Sequence, residues 1–361
     1  MIGRTLGAYF FGRFLRTALA VFGGAFALIT LIDFIEMFRR AAGLPLASPQ
    51  TIALLSLMRA FAISEQVLPF AMLAGSMIAF ISLSRRLELV VARAAGVSVW
   101  QFLFPPLLVA VIVGLFSVAV FYPVAALLKQ RADRLETRLF ARADQPEARS
   151  SLWIGQRSVD GRAIIQAERT SDKGTVLADV SVFTFDRDDR FRERIDARRA
   201  KLFSGYWRLR KARVIGPGEK PQDFGEYLLA TDLTPAQVTQ SFVAPETVPF
   251  WDLPKVARRI EQAGLDAVAY RLRFQSLLAR PLLLAAMVLI AACFSLRFFR
   301  FGGVARMATG GVLSGFVLYV ATKLVGDLGA AGLLSTPVAA WSPAIVASML
   351  GTLVLLHQED G

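Results

Sequence analysis

The sequence predicts an α-helical membrane bundle of six transmembrane helices, arranged three plus three, with an antiparallel β domain inserted between the two halves. Three observations lead to this fold class. The 361-residue chain is 55% hydrophobic and has a mean hydropathy of +0.51, which is typical of integral membrane proteins. It contains six apolar runs of bilayer-spanning length. A long polar segment with an alternating pattern separates the third run from the fourth.

The six apolar runs have the length of transmembrane helices, which need about 20 mostly apolar residues to cross about 30 Å of hydrocarbon. The predicted spans cover residues 14–37, 64–84, 100–122, 274–296, 304–325 and 338–357. Arginines precede the first run, and no small-residue cleavage site follows it before Asp33. We therefore expect a retained span rather than a signal peptide.

The segment between the third and fourth spans predicts a domain outside the bilayer. It begins with the charged stretch "LLKQRADRLETRLFAR", and "FDRDDRF" further on is typical of a hairpin turn. A period of about two follows in Trp207, Leu209, Ala212 and Val214. Asp252 and Pro254 then open a helix that returns the chain to the membrane. The predicted domains are residues 1–123 with spans one to three, 124–149 as a connecting helix, 150–248 as the β domain, and 249–361 with a second connecting helix and the last spans.

The distribution of positive charge predicts the orientation. Outside residues 124–270 the chain holds 16 Lys/Arg against 7 Asp/Glu, and most of these cations lie at the ends of apolar runs. Nine of them lie on one side of the predicted bundle: Arg4, Arg13, Arg16, Arg85, Arg86, Arg93, Arg297, Arg300 and Arg306. Three lie on the other: Arg39, Arg40 and Lys323. The bias predicts cytoplasmic termini and a β domain on the far side, the periplasm in a Gram-negative cell. Cations spread in this way do not indicate nucleic-acid binding.

The residues that most enzymes need are scarce in this sequence. No G-x-x-x-x-G-K-[ST] motif occurs, so the chain is not expected to bind ATP itself. His357 is the only histidine and Cys293 the only cysteine, which argues against a Ser-His-Asp triad and a Cys/His metal site. A proton-coupled transporter usually buries a carboxylate at mid-membrane. The acidic residues within the spans lie near their outer ends: Asp33, Glu36, Glu65 and Asp327.

A charged stretch of residues 84–98, "SRRLELVVARAAGVS", connects spans two and three. Its apolar residues Leu87, Val90, Val91 and Ala94 have helical spacing, which predicts an amphipathic helix at the cytoplasmic surface. One interpretation is an elbow whose arginines meet lipid phosphates. The other is a coupling helix that docks on a cytoplasmic motor protein. Glu88 favours docking, because a carboxylate gains nothing from anionic lipid but can pair with an arginine of a partner.

Four stretches in order carry a family resemblance. They are "LIDFIEMFRRAAG" at the end of span one, "ELVVARAAG" in the charged stretch, "AGLDAVAYRLRFQSLLARPL" leading into span four, and "RMATGGVLSGFVLYV" in span five. Together, on the three-plus-three topology, they resemble the lipopolysaccharide-export permeases of the LptF/LptG family over nearly the whole chain. The first span and "ELVV" are more similar to the LptG type.

The resemblance implies a non-catalytic permease subunit of an ABC-type lipopolysaccharide exporter. Expected partners are an LptF-like permease, two copies of an LptB-like cytoplasmic ATPase, LptC-like and LptA-like periplasmic bridge proteins, and lipopolysaccharide. No cofactor is expected in this chain, because ATP and Mg would be bound by the ATPase. The β domain is expected to be jellyroll-like. Two other functions remain as alternatives, an ion-coupled transporter of a lipid and a membrane scaffold for a periplasmic bridge.

The resemblance also implies three groups of site residues. The ATPase-coupling residues are Arg85, Arg86, Glu88, Val91, Ala92 and Gly96. The residues expected to bind lipopolysaccharide phosphates are Arg39, Arg40, Arg131 and Arg134. The residues expected at a lateral gate or against acyl chains are Phe26, Ile29, Gly311, Gly315, Phe316 and Tyr319.

Simpler interpretations of these residues stay open. Arg39 and Arg40 could snorkel to the membrane interface, or Arg40 could pair with Glu36 four residues earlier along the helix. Arg131 and Arg134, which share one helix face with Arg138, could belong to a solvated charged face, and any one gate residue could serve only packing. Asp33 stands where the family often has a basic residue, which weakens the predicted phosphate site.

Overall fold

The computed structural model describes residues 4–42, 48–140, 152–158, 161–171, 174–186, 190–218, 220–235, 244–262, 266–297 and 304–360. The chain forms two compact units. The helical unit comprises Met1–Leu139, Glu246–Trp251 and Arg271–Gly361, and the β unit comprises Phe140–Pro245 and Asp252–Tyr270.

The structure contains the six membrane helices that the sequence predicts. In chain order, all α-helices of the described residues, including those outside the membrane spans, are α1 (Arg4–Arg40), α2 (Pro49–Arg85), α3 (Glu88–Ala94), α4 (Val99–Phe116), α5 (Tyr122–Phe140), α6 (Leu253–Gln262), α7 (Val268–Arg297), α8 (Val304–Ala330) and α9 (Thr336–Asp360). A π-helical turn, Ser117–Phe121, joins α4 to α5, so the two form one continuous membrane helix. That helix and α1, α2, α7, α8 and α9 are each long and apolar enough to cross a bilayer. The predicted six-helix bundle is therefore confirmed.

Two of the membrane helices extend well beyond the predicted spans. The helices α1 and α2 each have 37 residues, which corresponds to about 55 Å at 1.5 Å per residue. Hydropathy detects only the part that matches the bilayer, about 30 Å. The start of α2 is fixed by Ser48, whose Oγ accepts a hydrogen bond from the Thr51 amide, and by Pro49 in the first turn.

The first-half helices pack at very short range because glycines occur where backbones meet. A Cβ added at Gly75 of α2 would lie 2.6 Å from Cα of Ala18 on α1. A Cβ added at Gly114 of α4 would lie 2.5 Å from Cα of Pro281 on α7. Such small residues let membrane helices approach closely and gain dispersion contacts. Gly114 therefore brings a helix of the first half against a helix of the second half.

The β unit is an antiparallel six-stranded sheet. Its strands are β1 (Leu152–Ser158), β2 (Gly161–Ser171), β3 (Val176–Phe185), β4 (Phe191–Phe203), β5 (Tyr206–Ile215) and β6 (Gln222–Ala230). The prediction of an inserted antiparallel β domain is confirmed. The strands are hydrogen-bonded in sequential order, β1 to β6, which is an up-and-down meander rather than the two Greek keys of a double-sheet jelly roll. Each strand follows its neighbour through a short connection, which favours this order.

The predicted hairpin at "FDRDDRF" joins β3 to β4. The Asp186 amide donates to the Arg190 carbonyl at 2.9 Å, and the Arg190 amide donates to the Asp186 carboxylate at 2.9 Å. Residues 187–189 lie outside the described part of the chain. The return segment, predicted as one connecting helix, forms α6 and the start of α7.

A group of hydrogen bonds around Gln156, here called the clasp, links the first and last strands of the sheet. Gln156 of β1 donates to the Ala230 carbonyl at the end of β6, 3.3 Å away. Its amide oxygen accepts hydrogen bonds from Trp207 Nε1 at 3.1 Å and Thr231 Oγ1 at 2.6 Å. Trp207 is fully buried among the apolar side chains of the inner face. The sheet therefore curls around its own core, with Gln156 closing the gap between its edges.

Candidate functional site

The charged stretch between α2 and α4 forms the short helix α3. Leu87, just before it, and Gly96, just after it, both have left-handed backbone conformations, with φ of 61° and 85°. Glu88 lies in the first turn, where the helix dipole favours a carboxylate, and Arg93 lies in the last turn. Ser98 then begins α4 with a capping box. Two sharp turns therefore hold α3 at both ends.

The buried face of α3 differs from the predicted one. The apolar face predicted from spacing included Leu87, Val91 and Ala94, but these side chains are exposed. Leu89 and Ala92 are the buried residues, because the left-handed turn at Leu87 rotates the helix relative to α2. Ala92 therefore supports α3 from beneath instead of offering a contact surface. Val90 has a described backbone only.

The exposed surface of α3 and its flanking turns combines apolar and charged groups. Val91 is 66% exposed and Leu87 is 56% exposed, so two aliphatic side chains are uncovered within a stretch of charged residues. The predicted coupling residues Arg85, Arg86 and Gly96 are exposed as well. Apolar anchors surrounded by charge are typical of a protein-docking surface.

Glu88 has a partner within its own chain. Its carboxylate lies 4.0 Å from the Arg13 guanidinium of α1, which is at the outer limit of an ion pair. Arg13 also donates to Ser82 of α2 at 2.6 Å and to the hydroxyl of Tyr9 at 2.7 Å. Arg13 therefore ties α1, α2 and α3 together, and its hold on Glu88 is weak because 4.0 Å is too long for a hydrogen bond.

The two arginines predicted to bind phosphate at the end of α1 pair along their own helix. Arg40 Nε donates to the Glu36 carboxylate at 2.7 Å, and Arg39 donates to it at 2.8 Å. The Glu36–Arg40 pair is the simpler interpretation left open by the sequence, and the Arg39 contact with Glu36 was not predicted. Both arginine side chains are more than half exposed, so such pairs contribute little stability. The pair still carries one positive charge that Glu36 does not neutralise.

A second ionic group includes an arginine that sequence reasoning missed. Arg59 of α2 donates to Asp33 of α1 at 3.2 Å and to Glu136 of α5 at 2.6 Å. Asp33 is buried, and Arg59 compensates its negative charge. Arg131 and Arg134, on α5, are exposed and have no ion-pair partner among the described side chains. The Arg138 side chain lies outside that part.

The most buried ionic group of the helical unit is a cluster of Glu65, Arg273, Arg280 and Tyr122, here called the interhelix ion cluster. Arg273 of α7 donates to both carboxylate oxygens of Glu65 at 2.9 Å, and Arg280 donates to one of them at 2.5 Å. Tyr122 is fully buried, and the Arg273 guanidinium lies over its ring, 4.9 Å from the ring centroid. Glu65 is only 4% exposed.

The interhelix ion cluster joins the two halves of the bundle, because Glu65 and Tyr122 belong to the first half and both arginines to α7 of the second. The spacing of Arg273 and Arg280 by seven residues puts them on one face of a helix. Two features of the sequence could have indicated this cluster: the two arginines seven residues apart in "RLRFQSLLAR", and the carboxylate of Glu65 at the edge of span two. A buried charge in a membrane bundle needs such partners.

The predicted gate residues fall into two classes. Gly311 and Gly315 of α8 are buried against α2, where an added Cβ would overlap side-chain atoms of Met77 and Leu73, respectively. They therefore serve packing within the chain. Phe26 is half-buried and stacks edge-on against Phe61, 5.0 Å between centroids, and Ile29 is half-buried as well.

The outward faces of α1 and α8 include two of the predicted gate residues, Phe316 and Tyr319, and several apolar residues that were not predicted. On α8, Phe316 is exposed, and Tyr319 is exposed with its ring 5.3 Å from that of Phe70. Exposed apolar residues continue along both helices: Leu28, Leu31, Ile32 and Ile35 on α1, and Val312, Leu313, Val317 and Val320 on α8. These two helices therefore present uncovered apolar faces.

Comparison with known proteins agrees with this arrangement. The family model for the lipopolysaccharide export system permease LptF/LptG matches residues 8–357. The chain belongs to the LptF/LptG family. It is therefore a permease subunit of the lipopolysaccharide exporter and a multi-pass protein of the inner membrane. Two relatives are the lipopolysaccharide export system permease proteins LptG of Escherichia coli K12 and of E. coli O6:H1. Each is 25% identical to this permease over 266 residues, which is 72% of either chain.

Proposed function

We propose that this permease takes lipopolysaccharide from the outer leaflet of the inner membrane and passes it towards a periplasmic bridge, using work supplied by a separate cytoplasmic ATPase. The family match across residues 8–357 carries the proposal. Each methylene moved out of hydrocarbon costs about 0.8 kcal/mol. A multi-chain lipid therefore needs both an energy source and an apolar route.

The ATPase, an LptB-like protein in two copies, binds ATP and Mg, and the permease itself holds neither. The ATPase docks on the exposed surface of α3. Val91 and Leu87 supply the apolar anchors, while Glu88 pairs with a cation of the ATPase. Docking moves Glu88 away from Arg13, which costs little because that ion pair is 4.0 Å long. Leu89 and Ala92 transmit motion of α3 to the bundle beneath.

The uncovered apolar faces of α1 and α8 form the route for acyl chains and the contact with an LptF-like permease. Phe316 and Tyr319 are the predicted gate residues that face outward. Arg131 and Arg134 are the strongest of the predicted phosphate ligands, because they are exposed and unpaired within the described chain. Arg39 and Arg40 contribute less, since Glu36 already neutralises half of their charge.

The two chain termini and α3 lie in the cytoplasm, and the β unit lies in the periplasm. The positive-inside distribution of the sequence supports this orientation. The β unit there contacts LptC-like and LptA-like bridge proteins. Opening of the clasp at Gln156 would expose its apolar inner face to acyl chains.

Co-purification of the ATPase with tagged permease tests the proposal. Glu88→Arg and Val91→Asp should each lower the ATPase recovered at least about tenfold, because they remove a charge pair or bury a new charge. Arg13→Gln should not lower it, because Glu88 is then free to pair with the partner. Asp327→Arg, which reverses another exposed carboxylate, is the matched control and should have no effect. Normal recovery and normal transport with both α3 variants would refute the proposed docking.

A further inference from the structure

Four cations lie together on the polar face of the β unit, close to the turn that joins β4 to β5. They form two directly opposed pairs, Arg199 with Arg210 and Lys201 with Arg208. The residues that alternate with them are buried in the core: Ala200, Leu202, Trp207 and Leu209. Because successive side chains of a strand point to opposite faces, all four cations point away from the core. These four residues are here called the basic patch.

The positive charge of the basic patch is not balanced by the neighbouring strands. In the two rows that cross the patch, Glu226 of β6 is the only acidic residue of the described strands. Glu226 pairs with Arg210 at 3.3 Å. The other three cations of the patch form no ion pair with any described side chain. Like charges in directly opposed positions repel each other, so the patch is unfavourable until an external anion lies against it.

Elsewhere on the polar face the cations are balanced by acids. Three arginines have carboxylate partners at 2.5–2.9 Å, in the pairs Arg194–Asp196, Arg213–Asp223 and Arg169–Asp179. The next row towards the middle of the sheet holds two cations and two acids: Arg198, Lys211, Glu168 and Asp179. The excess of positive charge is therefore concentrated in the basic patch, at one end of the sheet.

Aromatic and aliphatic side chains lie beside the cations. Phe203 and Tyr206, which flank the turn, stack with their ring centroids 5.4 Å apart. Lys201 Nζ and the Arg208 guanidinium lie over the Phe203 ring, 5.5 Å and 4.5 Å from its centroid. These cation–π contacts hold both cations in place but do not neutralise them. Leu228, opposite Arg208 on β6, is 62% exposed. Aromatic and aliphatic groups next to Lys and Arg are typical of surfaces that lie at a membrane interface.

The chain connects the β unit to the membrane helices from this same end of the sheet. Strand β6 ends at Ala230, opposite Tyr206, and the Thr231 amide then donates to the Gly205 carbonyl in the turn at 3.0 Å. Strand β1, which follows α5, runs away from this end. Both connections to the membrane helices therefore leave the β unit on the side where the basic patch lies.

We propose that the basic patch and the aromatic turn beside it bind the negatively charged surface of the bilayer. Arg199, Lys201 and Arg208 contact the phosphates of anionic phospholipids, and Leu228 contacts the boundary between headgroups and acyl chains. Charge complementarity favours this occupant, because cations spread over an exposed sheet face match several exchangeable headgroups at once. The contact holds the β unit at the membrane surface by charge, and it needs neither cargo nor ATP.

Fluorescence quenching in the full exporter complex, reconstituted in nanodiscs, tests the proposal. A fluorescent amino acid replaces Ser204, an exposed residue of the β4–β5 turn, and in a second sample Lys220, an exposed residue at the opposite end of the sheet. The discs contain a phospholipid with a spin label on its headgroup, which quenches nearby fluorophores. With phosphatidylglycerol in the discs, quenching at 204 should be at least about threefold stronger than at 220. Discs of phosphatidylcholine alone, or about 0.5 M salt, should lower quenching at 204 to the level at 220.

Charge reversal identifies the residues that make the contact. The triple variant Arg199→Glu, Lys201→Glu and Arg208→Glu should abolish the excess quenching at 204, because each cation near an anionic membrane strengthens the contact about fivefold. The matched control reverses three exposed cations at the opposite end of the sheet, Arg162→Glu, Arg192→Glu and Lys220→Glu, and should leave quenching at 204 unchanged. Hydrogen exchange in the core strands checks that both triple variants are folded. The lipid and salt comparisons use the unsubstituted patch and do not depend on these variants.

Four outcomes would overturn the proposed membrane contact. They are equal quenching at 204 and 220 in discs with phosphatidylglycerol, the same excess at 204 in discs of phosphatidylcholine alone, an excess that salt does not reduce, and an equal effect of the two triple variants. Lipopolysaccharide is added to discs of phosphatidylcholine as a separate sample. An excess at 204 with lipopolysaccharide but not with phosphatidylglycerol would assign the patch to the cargo and would also reject the proposal.

Discussion

Replacing Glu65 with glutamine should destabilise the helical unit by about 3–5 kcal/mol. Glu65 is the only carboxylate that contacts Arg273 and Arg280 in the interhelix ion cluster, among the side chains described. The substitution keeps the size and shape of the side chain but removes its charge. The guanidinium groups of Arg273 and Arg280 then lose this negative charge in a site so buried that Glu65 itself is only 4% exposed.

The magnitude follows from the contacts that the carboxylate makes. Glu65 accepts two hydrogen bonds from Arg273 and one from Arg280. Each charge-assisted hydrogen bond contributes about 1.5–3 kcal/mol, and a glutamine oxygen can retain about one of the three. Breaking a buried ion pair by removing one partner costs about 3–5 kcal/mol, because a buried charge is left uncompensated. One Arg280 nitrogen already lacks a partner among the described groups, so no spare acceptor is at hand.

Thermal unfolding of the complex in nanodiscs measures this effect, with Glu65→Asp as the conservative control. Neutralising the whole cluster by Glu65→Gln, Arg273→Gln and Arg280→Gln should cost much less than Glu65→Gln alone, because no charge stays unpaired. If the single variant changes stability by under about 1 kcal/mol, or the triple variant is the less stable of the two, the reasoning about the cluster is wrong.

Two further substitutions have defined outcomes. Gly75→Ala should lower the free energy of unfolding by about 1–3 kcal/mol, because its Cβ would overlap the backbone of Ala18. The control is Gly12→Ala, where an added Cβ meets nothing within 4 Å. Equal melting temperatures for the two variants would contradict the expectation. Gln156→Leu should cost about 1–3 kcal/mol by leaving the buried Trp207 N–H unpaired, and should speed hydrogen exchange at the edges of β1 and β6; unchanged exchange there would show that the clasp does not hold the sheet closed.

The sequence predicted the membrane helices and the β insert because both patterns are strong and local. Hydropathy marks each span, and the period of two near Trp207 marks the strands. The orientation of α3 could not be predicted in this way. A left-handed residue at Leu87 depends on the turn that follows α2, and it moves Leu89 and Ala92 to the buried face. Periodicity gives the spacing of a helix but not its rotation against a neighbour.

The ionic groups were hidden for a different reason. Arg59 and Arg273 acquire partners 26 and 208 residues away along the chain, and single-sequence patterns do not report such pairs. Glu65 was visible as a carboxylate at the edge of a span, but its meaning depends on α7. For the predicted phosphate site, the family pattern indicated Arg39 and Arg40, and the structure shows that Glu36 already binds both.

ATP-driven release of lipopolysaccharide from proteoliposomes tests the central claim most directly, because that claim is that a separate ATPase moves the cargo through α3. We expect release only when the ATPase and ATP are both present, and a reduction of at least about tenfold with Glu88→Arg in the same complex. Release by the permeases alone under an ion gradient, or full ATP-driven release with Glu88→Arg, would contradict it.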